Sequence, residues 1–290
     1  MNTNNVKHIV RIAPSPSGTL HLGTIRTAYF NWLITQQFSD SKFIVRIDDT
    51  DLNRSQDNLI QPIFDTLKHY GLYWDSTFKQ SDNFGMYRTF ADKLVLDGYA
   101  IHDDGAIRLS NTFGYNINLN LDWVDTLTGD KKCPLDVFNA ANTQVIIKSD
   151  GSPTYNFASA IDDISHGITW VVRGTDHITN TFKQNIFYKL FDKPMPLYTH
   201  VGLLTHMSGK KYSKRDSDQL DLSSYDPDAV LNFILRLGWS PRQDDKTNNI
   251  IQKDKAIDLF LNGGKMRAPN CKVDLNKLDW YNKKYKHINR

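Results

Sequence analysis

The sequence predicts an α/β protein, a doubly wound parallel sheet with a small insert and a C-terminal helical segment. Three observations predict it. Within about the first fifty residues a strand, a helix and a second strand follow one another, which is the order of a parallel crossover unit. Strand signals return over 145–148 and 168–172, and a helical run over 179–190 follows the second. From Pro227 onward the pattern reads as helices joined by loops.

Each element has a local reason. Residues 6–12 are a short apolar run, broken by Pro14-Ser-Pro-Ser-Gly-Thr. A helix begins near His21, because Leu22, Ile25, Ala28, Tyr29, Trp32 and Leu33 recur at three and four residues and so share one face. Residues 42–47 form the second strand and run into Asp48-Asp49-Thr50-Asp51. Helical patterns cover 59–70 and 87–96. Over 102–141 the pattern weakens into short segments with Gly105, Gly114 and Gly129, which predicts a small inserted subdomain. Near the C-terminus, 229–237 and 254–261 are helical.

At 290 residues the chain has room for one large or two small domains, and 40% apolar with 23% charged residues describes a folded protein. No apolar run approaches the ~20 residues of a membrane span, and the polar start carries no signal region, so a cytoplasmic location is expected. Cys133 and Cys271 stand far apart without cysteine neighbours at ligand spacing, so neither a disulfide framework nor zinc is expected. The net charge of +3 is unevenly spread: residues 251–290 hold ten Lys or Arg against four Asp. That basic end fits a nucleic-acid contact or a solvated helical face.

Two stretches could handle phosphate. The first strand feeds Ser15-Pro-Ser-Gly18-Thr-Leu-His21-Leu-Gly23-Thr24 and then a helix, whose N-terminus offers free amides and the positive end of the dipole. Gly18 and Gly23 would let the backbone approach a ligand closely. Far downstream, Gly209-Lys-Lys211-Tyr-Ser-Lys214-Arg215 gathers four cations, a set that is either a solvated loop or a clamp for a leaving pyrophosphate.

The run from Arg11 to Thr24 resembles the first signature of glutamyl-tRNA synthetases, and Lys211-Tyr-Ser-Lys214-Arg215 resembles their second. Between them Arg46-Ile-Asp-Asp-Thr-Asp51, Ser152-Pro-Thr-Tyr155-Asn-Phe-Ala158, Ile161-Asp-Asp163 and Val172-Arg173-Gly-Thr-Asp-His177 look like family blocks in the family's order. Asp274-Leu-Asn-Lys-Leu-Asp-Trp-Tyr-Asn282 resembles the end of the synthetase body. The resemblance implies a class I Rossmann-type core that activates glutamate with ATP, accompanied by Mg²⁺, and transfers it to tRNA. It makes His21, Lys211 and Lys214 catalytic and adds Ser17, Gly18, Gly23, Thr24 and Asp176 as ATP contacts. It assigns glutamate to Arg11, Ala13, Ser15, Asp48, Tyr155, Ser159 and Arg173, with Arg11 and Arg173 as candidates for the side-chain carboxylate.

Two departures touch these contacts: Asp48 stands where the family usually has Glu, and Thr175 where Glu is common. Asp51 also suits a helix cap ahead of Leu52. The expected division is a catalytic half over 1–101, an acceptor-binding insert over 102–143, the second catalytic half over 144–215 and a basic stem-contact segment over 216–290. The resemblance ends where the family's anticodon-binding domain would start. In length the chain is similar to glutamyl-queuosine tRNA(Asp) synthetase, whereas 177–181, the Lys211 loop and the Trp280 segment look closer to the full synthetase. A modified anticodon base as acceptor and a non-catalytic paralogue are the alternatives, and a monomer is expected.

Overall fold

The computed structural model describes residues 6–18, 20–51, 57–110, 119–212, 220, 222–242 and 250–288. Strand β1 (Ile9–Ile12) stops short of Pro14. Helix α1 (Leu22–Thr35) follows, capped by His21, whose Nδ1 accepts from the Thr24 amide at 3.2 Å. The face predicted from the apolar spacing is buried, and so are Arg26, Phe30, Asn31 and Ile34. The extra burial arises because α1 lies between the sheet and a C-terminal helix, so it has no solvent stripe along most of its length. Each fully buried Leu or Phe on it is worth roughly 1.5–3 kcal/mol.

The chain continues through β2 (Lys42–Ile47), α2 (Ile60–His69), β3 (Ser76–Lys79) and α3 (Phe84–Leu96). Next come β4 (Ala100–Asp103), β5 (Ala106–Leu109), β6 (Trp123–Asp125), β7 (Gly129–Lys131), α4 (Leu135–Asn142) and β8 (Val145–Ile147). Then follow α5 (Tyr155–Ser165), β9 (Trp170–Gly174), α6 (Ile178–Leu190), β10 (Leu197–Val201) and β11 (Leu204–Thr205). The C-terminal part holds α7 (Pro227–Arg236), β12 (Trp239–Pro241), α8 (Lys253–Leu259), β13 (Gly264–Met266), β14 (Cys271–Lys272) and α9 (Leu275–Ile288).

The main sheet has the order β3-β2-β1-β9-β10-β6-β7, parallel except for the β6–β7 hairpin. Chain order reverses between β1 and β9, and the two strands feed α1 and α6. A crevice at the strand C-termini is expected there. One apolar cluster contains the α1 and α7 side with Val10, Ile12, Phe43 and Val45; the other contains the α3, α5 and α6 side with Ile44, Val171 and Tyr198.

β3, β10 and α5 are among the elements that escape the periodicity reading. β3 is an edge strand of Ser76, Thr77, Phe78 and Lys79 with no apolar alternation, β10 buries Thr199 and His200, and α5 carries two acidic residues on its buried side. Segment 102–143 is shared between two sheets: β5 joins β4, which begins at Ala100, and β8, which lies beyond the segment, in a separate antiparallel sheet, whereas β6 and β7 extend the main one. The C-terminal segment also holds strands: β14 pairs with β11, and β12 with β13. Among the described residues no helix is long and apolar enough to cross a membrane.

Candidate active site

Alternation along a strand sends every second side chain to the same face. Arg11 follows Ile9, Arg46 follows Ile44, Arg173 follows Val171 and His200 follows Tyr198, each two residues on. Four neighbouring strands therefore share an apolar layer with a polar row nearer the strand C-termini, on the side covered by α5. α5 answers that row with Ser159, Asp162 and Asp163.

The cations of this row have different partners. Arg11 holds Asp163 with two hydrogen bonds of 3.2 Å. Arg46, fully buried, binds Asp48 through Nε at 2.5 Å and Nη2 at 3.1 Å, Asp163 at 2.8 Å and the Ser159 hydroxyl at 3.0 Å. Arg173 is also buried, yet it has no carboxylate partner among the described residues. Its Nε donates to His200 Nε2 at 3.2 Å, its Nη2 donates to the Thr181 hydroxyl at 2.7 Å, and Nη1 has no partner among the described residues. Burial, with the neighbouring Arg11 charge, pushes its pKa down despite the nearby Asp163 carboxylate.

The strand C-termini and the start of α1 enclose a cleft of about 640 Å³. Twelve of the residues predicted from the sequence line it: Arg11, Ala13, Ser15, Ser17, His21, Gly23, Thr24, Asp48, Tyr155, Arg173, Asp176 and Lys211. Gly18 and Ser159 do not. Ser159 is completely buried behind Arg46, and Gly18 shapes the turn with a φ of 138°, which favours glycine. Lys214 lies outside the described residues.

Near the mouth Lys211 Nζ pairs with Asp176 Oδ2 at 2.7 Å. Burial pushes the Asp176 carboxyl up, but the bond from Lys211 together with the nearby His177 and Lys211 charges outweighs it and holds the group below its ordinary range. His177 lies 3.3 Å from the Tyr155 hydroxyl, and burial, with the Arg173 charge, pushes it down to about 4. Sequence reasoning missed Arg26, Arg46 and His177 as lining residues. Arg26 donates to Leu237 O at 2.7 Å and Gly202 O at 2.6 Å, tying α1 to the segment leading into β11. A mid-helix Arg gives no local signal of such carbonyl partners; Arg46 and His177 stood inside family-like blocks.

Buried cations at the switch point of a parallel sheet, beside a helix N-terminus, suit a ligand with both carboxylate and phosphate groups. The sequence matches the family described as tRNA synthetases class I (E and Q), catalytic domain, over residues 7–108 and 106–280, and the chain belongs to that family. It is 40% identical over 256 residues to glutamate–tRNA ligase 2 of Neorickettsia sennetsu, covering 87% of this chain and 60% of the relative. It is 35% identical to glutamate–tRNA ligase of Acholeplasma laidlawii, covering 96% and 64%. The fold is that of a glutamate tRNA ligase from Elizabethkingia meningosepticum crystallised with its amino acid, with a TM-score of 0.83, 23% identity, and 98% and 70% coverage. The chain thus spans under two thirds of the length of those first two relatives.

Proposed function

We propose that this chain activates glutamate with ATP, forming glutamyl-AMP and pyrophosphate, and transfers the glutamyl group to tRNA. The observation that carries the amino-acid assignment is Arg173, a buried guanidinium with no carboxylate partner among the described residues. A buried cation without a counter-ion is costly, and an anionic side chain repays it. Arg11, by contrast, is compensated by Asp163 and acts as a wall of the pocket. Tyr155, Ala13 and Ser15 line the same cleft. Asp48 keeps both oxygens on Arg46, so an amino group would share an oxygen already hydrogen-bonded there. Ser159 acts through Arg46.

His21, Gly23, Thr24 and Ser17 hold the phosphates beside the α1 N-terminus. The substrate carboxylate attacks the α-phosphorus of ATP, the bond to the bridging oxygen of pyrophosphate breaks, and Lys211 and Lys214 neutralise the charge that grows there. Mg²⁺, entering with ATP, would supply positive charge to its phosphates; among the described residues no group of three His, Cys, Asp or Glu side chains could hold a metal. α9 buries Leu278, Tyr281 and Tyr285 and leaves Lys277, Lys283, Lys284 and Lys286 exposed, a basic face for tRNA phosphates.

Exchange of labelled pyrophosphate into ATP, measured with glutamate or glutamine and with or without tRNA, tests this function. Glutamate-dependent exchange at least ~100-fold above the glutamine rate is expected, because the neutral amide leaves Arg173 without an anion. Equal rates, or no exchange under any condition, would reject it.

A further inference from the structure

Arg173 is held by a neighbour that carries no charge. The parallel register places His200 of β10 directly beside Arg173 of β9. His200 is completely buried, and its Nδ1 lies 2.8 Å from Asp125 Oδ2. Asp125 also accepts from the His200 amide at 2.9 Å and, through Oδ1, from the Leu127 and Thr128 amides at 2.9 and 3.0 Å. A carboxylate taking so many donors only accepts, so Nδ1 of His200 carries the proton. Nε2 is then left with one lone pair, which faces both Arg173 Nε–H at 3.2 Å and the Thr181 hydroxyl at 3.1 Å; Thr181 has the His177 carbonyl at 3.1 Å for its own proton, so the lone pair serves Arg173.

We propose that Asp125 and His200 are positioning residues for substrate selection: together they fix the Nε edge of Arg173 with a neutral acceptor and leave its Nη1 edge and its full positive charge to the substrate carboxylate. The inference rests on the reading that Arg173 binds glutamate. The contrast with Arg11 gives its physical content. A carboxylate, as at Arg11, fixes a guanidinium and cancels its charge, whereas a neutral imidazole fixes it and cancels nothing. Asp125 reaches His200 because β6 of the inserted segment joins the edge of the main sheet beside β10. The insert thereby takes part in amino-acid selection.

Two substitutions divide the imidazole. His200→Asn keeps a donor near the Nδ1 position for Asp125 but has nothing at Nε2; His200→Gln reaches the Nε2 position with an acceptor oxygen and loses the Asp125 contact. In glutamate-dependent pyrophosphate exchange, His200→Asn is expected to raise the glutamate KM by ~10-fold, the loss of one hydrogen bond to a charged group, with the ATP KM unchanged. His200→Gln is expected to recover most of that rise. Equal effects of the two, or an ATP KM that moves with the glutamate KM, would overturn the assignment, since a merely structural histidine has no reason to separate them. Nitrogen-15 spectra of His200 in the wild-type protein give a check independent of folding: a protonated Nδ1 and bare Nε2 are expected, and the opposite tautomer overturns the relay. Arg173→Gln separates the two levels of argument. An unchanged glutamate KM there sinks the reading of Arg173 and the relay with it, while a raised KM there with none in His200→Asn sinks the relay alone.

Discussion

Lys211 Nζ lies 2.7 Å from Asp176 Oδ2, joining the first residue of the second signature with the turn that follows β9. The side chains are 59% and 37% exposed, so the pair is worth no more than ~1 kcal/mol and yields readily to a phosphate. Asp176→Asn is therefore expected to change the ATP KM by less than about 5-fold. Lys211→Ala should lower the exchange rate by ~10-fold and Lys214→Ala by at least ~100-fold, since both remove charge aimed at the transition state. Near wild-type exchange in the Lys214 variant would contradict the proposed chemistry.

Arg11 and Arg173 should separate stability from recognition. Arg11→Gln leaves Asp163 buried with Arg46 as its remaining partner, and breaking a buried pair costs about 3–5 kcal/mol. A fall in Tm of ~6 °C or more is expected by calorimetry. Arg173→Gln strands no carboxylate, so its Tm should stay within ~2 °C while the glutamate KM rises ~30-fold. The reverse pattern would exchange the roles of the two residues.

Two of the groups that shape stability in mildly acidic solution oppose each other. Burial pushes Asp162 up to about 6, so its folded state holds a proton that the unfolded chain has released, and stability falls as pH rises from about 4 to 6. His177, pushed down to about 4 by burial and the Arg173 charge, binds its proton more readily unfolded, so stability rises over much the same window. His177→Gln removes the rising contribution. Urea unfolding at pH 4, 5 and 6 should give that variant a more negative slope of stability against pH than the wild type; an identical slope would show that His177 titrates normally.

The basic face of α9 makes its own prediction. Lys284 Nζ stands 5.7 Å from the Trp280 ring centroid, so cation and aromatic surface are presented together. Changing Lys283, Lys284 and Lys286 to Glu should weaken glutamyl transfer to tRNA and flatten its salt dependence, with tRNA-independent exchange unaffected. Transfer to tRNA(Glu), and to tRNA(Asp) with and without queuosine, would identify the acceptor. Unaltered transfer in the triple variant would place the tRNA contact elsewhere.

Local pattern was enough for β2 at its observed bounds, the buried face of α1 and the doubly wound class. Each of these depends on neighbours a few residues apart, where alternation, helical spacing and Pro or Gly act directly. Which charges neutralise one another emerges only when distant strands come together. Arg11 and Asp163 stand 152 positions apart, and no local pattern announces that Arg11 is paired with a carboxylate while Arg173, among the described residues, is not. The same holds for Asp48, whose oxygens go to Arg46, and for Asp125, which reaches His200 because an edge hairpin completes the sheet. Ion pairing in a buried row follows from strand order and register, which long-range packing sets, so the residue types of the site were legible in the sequence and their division of labour was not.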